Sequence, residues 1–171
     1  MSVAIRVAAL LAASTVLVGA ANGQDYGPYG YSGGALGTSY GYDWNGFYTG
    51  VYGGGVPMGD QSWNAGIFTG VNVSMESAVF GVEAQLGGDL NDEWGLDALV
   101  LGKGGVNFGQ ALAYGTGGLG LVSSDWGYAL GGGVEYGLTD YMTVRGEALG
   151  TGAWGEGPND LRLTAGVAFH M

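Results

Sequence analysis

The chain has 171 residues, enough for one domain with its own core. It holds no cysteine, which excludes a disulfide framework and any Cys-based zinc site. Its 15 acidic against 4 basic residues give a formal net charge of −11, which repels phosphate backbones, so no nucleic acid is expected as a partner. Only 11% of the residues are charged, while 47% are hydrophobic and 12% aromatic. Ordinary soluble domains carry roughly 25% charge. The aromatic content sets the chain apart from acid-rich disordered proteins. The 39 glycines follow no Gly-X-Y period, which excludes collagen.

Residues 1–23 read as a secretory signal peptide. Arg6 supplies the positive start, Val7 to Ala20 is apolar or small, and Ala21 and Gly23 offer cleavage points. The uncharged run of about 14 residues is short of the ~20 that a spanning helix needs. Residues 24–43, QDYGPYGYSGGALGTSYGYD, repeat no apolar face and are expected to be a flexible Gly/Tyr-rich segment.

From Gly46 onward, period-2 alternation takes over, broken by turn residues. In segment one, residues 46–56, Phe47, Thr49 and Val51 oppose Tyr48, Gly50 and Tyr52. In segment two, about 66–75, Ile67, Thr69, Val71 and Val73 oppose Gly70, Asn72 and Ser74, with Phe68 an exception on the polar side. Segment three, 78–88, sets Ala78, Phe80, Val82, Ala84 and Leu86 against Gly81, Glu83, Gln85 and Gly87. In segment four, about 94–106, Trp94, Leu96, Ala98 and Val100 oppose Asp97 and Lys103, though Leu99 and Leu101 blur the polar face. Segment five, 111–122, has small or apolar residues on both faces and does not declare itself. Segment six, 126–138, sets Trp126, Tyr128, Leu130, Val134 and Tyr136 against Gly127, Ala129, Gly131, Gly133 and Glu135. Segment seven, 141–150, sets Met142, Val144 and Ala148 against Thr143, Arg145 and Glu147. Segment eight, 161–170, sets Leu161, Leu163, Ala165, Val167 and Phe169 against Arg162, Thr164 and His170.

Each run is near the ~9–11 residues with which a tilted strand crosses a bilayer. An apolar face opposite a polar or glycine face is the pattern of a barrel with lipid outside and a polar interior. Closure removes the open edges that lipid cannot tolerate. Residues 44–171 are therefore expected to form an all-β, eight-stranded antiparallel up-and-down transmembrane β-barrel. Trp44, Phe47, Trp94, Trp126, Tyr128, Tyr136, Tyr141 and Phe169 cluster near strand ends and are expected to form two interfacial aromatic girdles.

WNGFYTGVYGG at 44–54, VFGVEAQL at 79–86, LAYGTGGLG at 112–120 and GGGVEYGLTDYMTVRGEALG at 131–150 resemble the small OmpA-like, opacity-type outer-membrane barrels of Gram-negative bacteria. In alphaproteobacteria these are called outer-membrane immunogenic or porin-family proteins. The resemblance covers 44–171 with the segments in order. It implies an eight-stranded barrel in the outer membrane, inserted by the barrel-assembly machinery, and no enzyme. Members end on an aromatic residue; here Phe169 is followed by His170 and Met171.

The ionisable residues of the polar faces are Glu83, Asp97, Lys103, Glu135, Arg145 and Glu147, with Arg162 a further candidate. An eight-stranded barrel is just wide enough for its own side chains, and charges there must pair. Glu83, Glu135 and Glu147 around Lys103 and Arg145 are expected to plug the lumen. The sharper alternative is a narrow carboxylate-lined path for ions or small solutes. No catalytic site is expected: His170, the sole histidine, sits at the C-terminus. The GTGGLG match at Gly115–Gly120 has no helix after it, so no dinucleotide cofactor is expected. Asp89 to Glu93 resembles a calcium loop only faintly, lacking glycine at the sixth position, and no metal is expected. The leading expectation is a monomeric structural barrel in contact with outer-membrane lipid and lipopolysaccharide, contributing to envelope integrity and surface display. An adhesin or receptor acting through the outer loops is the alternative among binding proteins. A secreted, water-soluble glycine-rich protein is the alternative outside the membrane.

Overall fold

A computed structural model describes residues 41–58, 62–89, 96–122, 124–154, 157–158 and 160–171. The expected signal peptide and residues 24–40 of the Gly/Tyr-rich segment lie outside the described residues, as do Trp94 and most of the acidic stretch at 89–93. Eight strands follow in order: β1 (Gly46–Met58), β2 (Trp63–Met75), β3 (Ala78–Asp89), β4 (Leu96–Phe108), β5 (Ala111–Val122), β6 (Asp125–Thr139), β7 (Met142–Ala153) and β8 (Asp160–His170). Each pairs antiparallel with its chain neighbours, and β1 closes on β8. The fold is the eight-stranded antiparallel barrel that the alternation calls for, and among the described residues no helix is long and apolar enough to cross a membrane.

The register fixes the tilt. Stepping from partner to partner, Gly46 leads through Asn72, Gly81, Lys103, Thr116, Gly131 and Leu149 to Arg162. Arg162 stands level with the stretch of β1 between Gly55 and Met58, about ten residues beyond the start. A stagger of that size over eight strands corresponds to a tilt of roughly 40°.

The turns sort by end. Glu76–Ser77, Gly109–Gln110 and Asp140–Tyr141 are two-residue connections at the end that also holds both barrel termini, here the terminal end. Glu76 and Gly109 adopt left-handed φ values of 56° and 73°, and that conformation lets two residues reverse the strand. At the opposite end, 59–62, 90–95 and 154–159 are longer, and only the β5–β6 connection is a two-residue turn.

The core is the lumen. Residues of even number from Tyr48 to Gly54 on β1 and along β2, and of odd number from Val79 to Gly87 on β3 and along β4, turn inward; their neighbours in sequence mostly turn out. Inward glycines make room for rings. A Cβ on Gly70 would meet the Tyr48 ring at 2.6 Å, and one on Gly87 would meet the Tyr52 hydroxyl. Segment five resolves on this basis: Leu112, Tyr114 and Thr116 are buried, whereas Ala113, Gly115 and Leu119 face out.

Candidate functional site in the barrel lumen

Strand register carries ionisable side chains from opposite walls into contact. β3 and β7 lie four strands apart in a ring of eight, on opposite sides of the barrel. From β7, Arg145 reaches Glu83 on β3 with two hydrogen bonds, Nη1 to Oε2 at 2.7 Å and Nη2 to Oε1 at 3.0 Å. This bidentate geometry is the strong form of a charge-assisted pair. The guanidinium also lies 3.6 Å from the Phe68 ring centroid and 3.9 Å from Glu147 Oε1. Gln85 Nε2 donates to both Glu83 at 2.8 Å and Glu147 at 3.1 Å. The hydroxyls of Tyr48 and Tyr114 donate to Glu83 and Glu147 at 2.7 and 2.8 Å. Phe68, the exception in segment two, is therefore the platform on which the central arginine rests.

A second group lies nearer the terminal end. Lys103 Nζ donates to Glu135 Oε2 at 2.8 Å and sits 4.1 Å from the Tyr114 ring centroid. Thr143 Oγ1 donates to Glu135 Oε1 at 2.5 Å, and His170 Nε2 is 3.4 Å from the same oxygen. Toward the other end, Arg162 on β8 crosses the lumen to Asp97 on β4, Nη1 to Oδ2 at 2.9 Å. That contact lies off the hydrogen-bonding direction, so it acts through charge. Leu99, Leu101 and Ala129 fill the wall beside it as an apolar cluster. These two leucines, which blurred segment four, face inward.

Thus Glu83, Lys103, Glu135, Arg145 and Glu147 meet in the lumen, while Asp97 pairs separately with Arg162. The chain has four basic residues, Arg6 among them. The other three are Lys103, Arg145 and Arg162, all buried in the lumen. Beyond residue 6 the outer surface therefore carries acids and no Lys or Arg.

The outward wall is apolar. Val82, Val100, Leu130 and Val134 are all more than half exposed on it. Its aromatics gather at two levels. Phe47, Phe108, Tyr136, Tyr141 and Phe169 stand toward the terminal end, and Trp63, Trp126, Tyr128 and Trp154 toward the other. Trp126 and Tyr136 are ten positions apart on β6, or about 33 Å along the strand and about 25 Å along a normal tilted by roughly 40°. That matches the ~25 Å apolar band of outer-membrane barrels.

Trp44 corrects the girdle expectation. Its ring is 1% exposed and packs inside the terminal mouth against Val79, Leu112 and Tyr114. Because Trp44 precedes β1, no strand register holds it outward, and its indole donates to Gly109 O at 3.4 Å. Tyr42 packs on it, and burial, then the Glu135, Asp43 and Asp140 carboxylates, push the Tyr42 phenol above its ordinary pKa.

No family model matches the sequence. The chain is 31% identical over 166 residues to the 22 kDa outer membrane protein of Rhizobium leguminosarum bv. viciae, with 74% of this chain and 78% of the relative covered. The chain belongs to that outer-membrane protein family. In this outer-membrane barrel the C-terminus is ordered by its register: His170 pairs with Tyr48 and turns inward, and Met171 N donates to Phe47 O at 2.9 Å. Phe169 and Met171 are both exposed, so the last outward positions are apolar although the final residue is not aromatic.

Sequence reading missed several participants. Trp63, Phe108 and Trp154 belong to the outward levels, and each stands at a strand end where the tryptophans and phenylalanines of a girdle are expected. Tyr48, Tyr114, Gln85 and Thr143 complete the lumen network; their alternation placed three of them on inward faces but gave no sign of which carboxylate each would meet.

Proposed function

We propose that this protein is a small opacity-type barrel that serves the outer membrane as a closed structural element, its lumen filled rather than open. The observation that carries the reading is the crossing of the lumen by Arg145–Glu83 and Arg162–Asp97, each joining strands on opposite walls. A pair anchored on opposite strands resists flattening of the barrel and leaves no central path. Removing one member of such a pair is costly, so the network also stiffens the cross-section that closure sets. The connections at the end away from the termini span at most six residues between strands, which favours a wall element over an adhesin. His170, the sole histidine, is occupied by Glu135 and by aromatic rings, an arrangement that favours no enzymatic role.

The partners follow from the surface. Outer-membrane lipid meets the apolar wall, and the barrel-assembly machinery is the partner during insertion. With every base beyond Arg6 inside the lumen, contact with lipopolysaccharide phosphates runs through divalent cations held at exposed acids. The barrel acts as a monomer. Planar-bilayer recording tests the filled lumen: the wild-type chain is expected to show no steady conductance. A steady conductance that shifts on Arg145→Ala would replace the structural reading with a channel.

A further inference from the structure

We infer that residues 42–45 form a removable stopper in the terminal mouth, closing the lumen there independently of the ion pairs deeper inside. The wall is complete without this segment, because strand pairing starts at Gly46 and β1 already closes on β8. Residues 41–45 carry no strand. Yet Trp44 is almost fully buried, and its neighbours come from several parts of the wall: Val79 on β3, Leu112 and Tyr114 on β5, and His170 on β8, at 6.1 Å between rings. Contacts distributed in this way place the indole across the mouth rather than along one strand.

Tyr42 covers Trp44 at 4.6 Å between ring centroids and meets His170 edge-on at 5.1 Å. His170 in turn stacks on Tyr48 at 5.3 Å, so the rings run from the mouth to the first tyrosine of the network. The segment is tied at few points. Tyr42 N donates to Gly109 O at 3.2 Å, and Asn45 Oδ1 accepts from Ser74 N at 2.7 Å. Ring packing and a few hydrogen bonds hold the segment, with no ladder, so it can leave while the barrel stays folded. Its departure would bare the Lys103–Glu135 pair to the terminal side.

The chain has no cysteine, so a single introduced thiol reports access. Val79→Cys places it beneath Trp44, and Thr151→Cys places it, equally buried, toward the other end. The full chain, folded in dodecyl-maltoside micelles and checked by its heat-modifiable gel shift, is treated with a charged maleimide. The Val79→Cys thiol is expected to react slowly, and at least about tenfold faster when Trp44→Ala is added, the factor that ~1.4 kcal/mol of lost contact carries. Thr151→Cys is expected to keep its rate. Gly137→Val is a second way in, because a Cβ there would run into the Tyr42 ring, and it is expected to accelerate Val79→Cys too. Equal Val79→Cys rates with and without Trp44, or an equal rise at Thr151→Cys, would overturn the stopper. Loss of the folded barrel in both variants would also overturn it, by making the segment part of the fold.

Discussion

Replacing Arg145 by Met removes the charge at the centre of the lumen while keeping a flexible apolar chain over Phe68. Arg145 is buried, bonded twice to Glu83 and stacked on Phe68 at 3.6 Å. Its loss leaves Glu83 and Glu147 sharing the single Gln85 amide, with Tyr48 and Tyr114 as their other donors. Breaking a buried pair by removing one partner costs ~3–5 kcal/mol, because a charge remains without its counterion. Adding Glu83→Gln takes that charge away, and the coupling between the two sites is expected to return about 1–3 kcal/mol. The assay is urea unfolding in phospholipid vesicles, read from unboiled gels. The single variant should lose midpoint strongly, and the double should regain part of the loss. A loss below about 1 kcal/mol in the single, or losses that simply add in the double, would refute the central role of this pair.

Phe68→Leu removes the ring beneath the guanidinium and is expected to cost about 2 kcal/mol by the same assay; an unchanged midpoint would show that the ring does not support Arg145. Gly70→Ala drives a Cβ into the Tyr48 ring and is expected to cost ~1–3 kcal/mol. Gly146→Ala, with no atom within 4 Å of the new Cβ, should be neutral or stabilise by ~0.4–1 kcal/mol; equal effects at both sites would contradict the inward and outward assignments. Leu130→Arg, midway along β6 on the outward wall, should cost ~2–4 kcal/mol in vesicles, and Leu138→Arg near the terminal-end aromatics ~0–1 kcal/mol. Two equally mild effects would mean that this wall faces water.

The strands were legible because alternation reports which face of a strand is buried, and a barrel turns that face into a lumen. β3 and β6 read cleanly since charged or glycine positions alternate with large apolar ones. β5 did not, because Ala113, Gly115 and Gly117 on its outward face are smaller than Leu112 and Tyr114 on its inward face, the reverse of the pattern on the other strands. Phe68, Leu99 and Leu101 looked like errors in the pattern for a different reason. A filled lumen needs apolar bulk beside its charges, and alternation alone assigns such bulk to lipid. The pairing inside was only partly readable. Arg145 and Glu83 are 62 positions apart and meet because β3 and β7 oppose each other, which follows from closure and stagger rather than from local sequence. Trp44 was misplaced because it stands outside the strand register, where period-2 reasoning has no purchase.

Cell fractionation followed by gels of boiled and unboiled samples tests the transmembrane barrel most directly. The full chain should appear in the outer-membrane fraction as a detergent-resistant species whose mobility shifts on boiling. A soluble, unshifted protein would contradict the lipid-facing wall and would mean that the apolar faces pack against each other or against a partner.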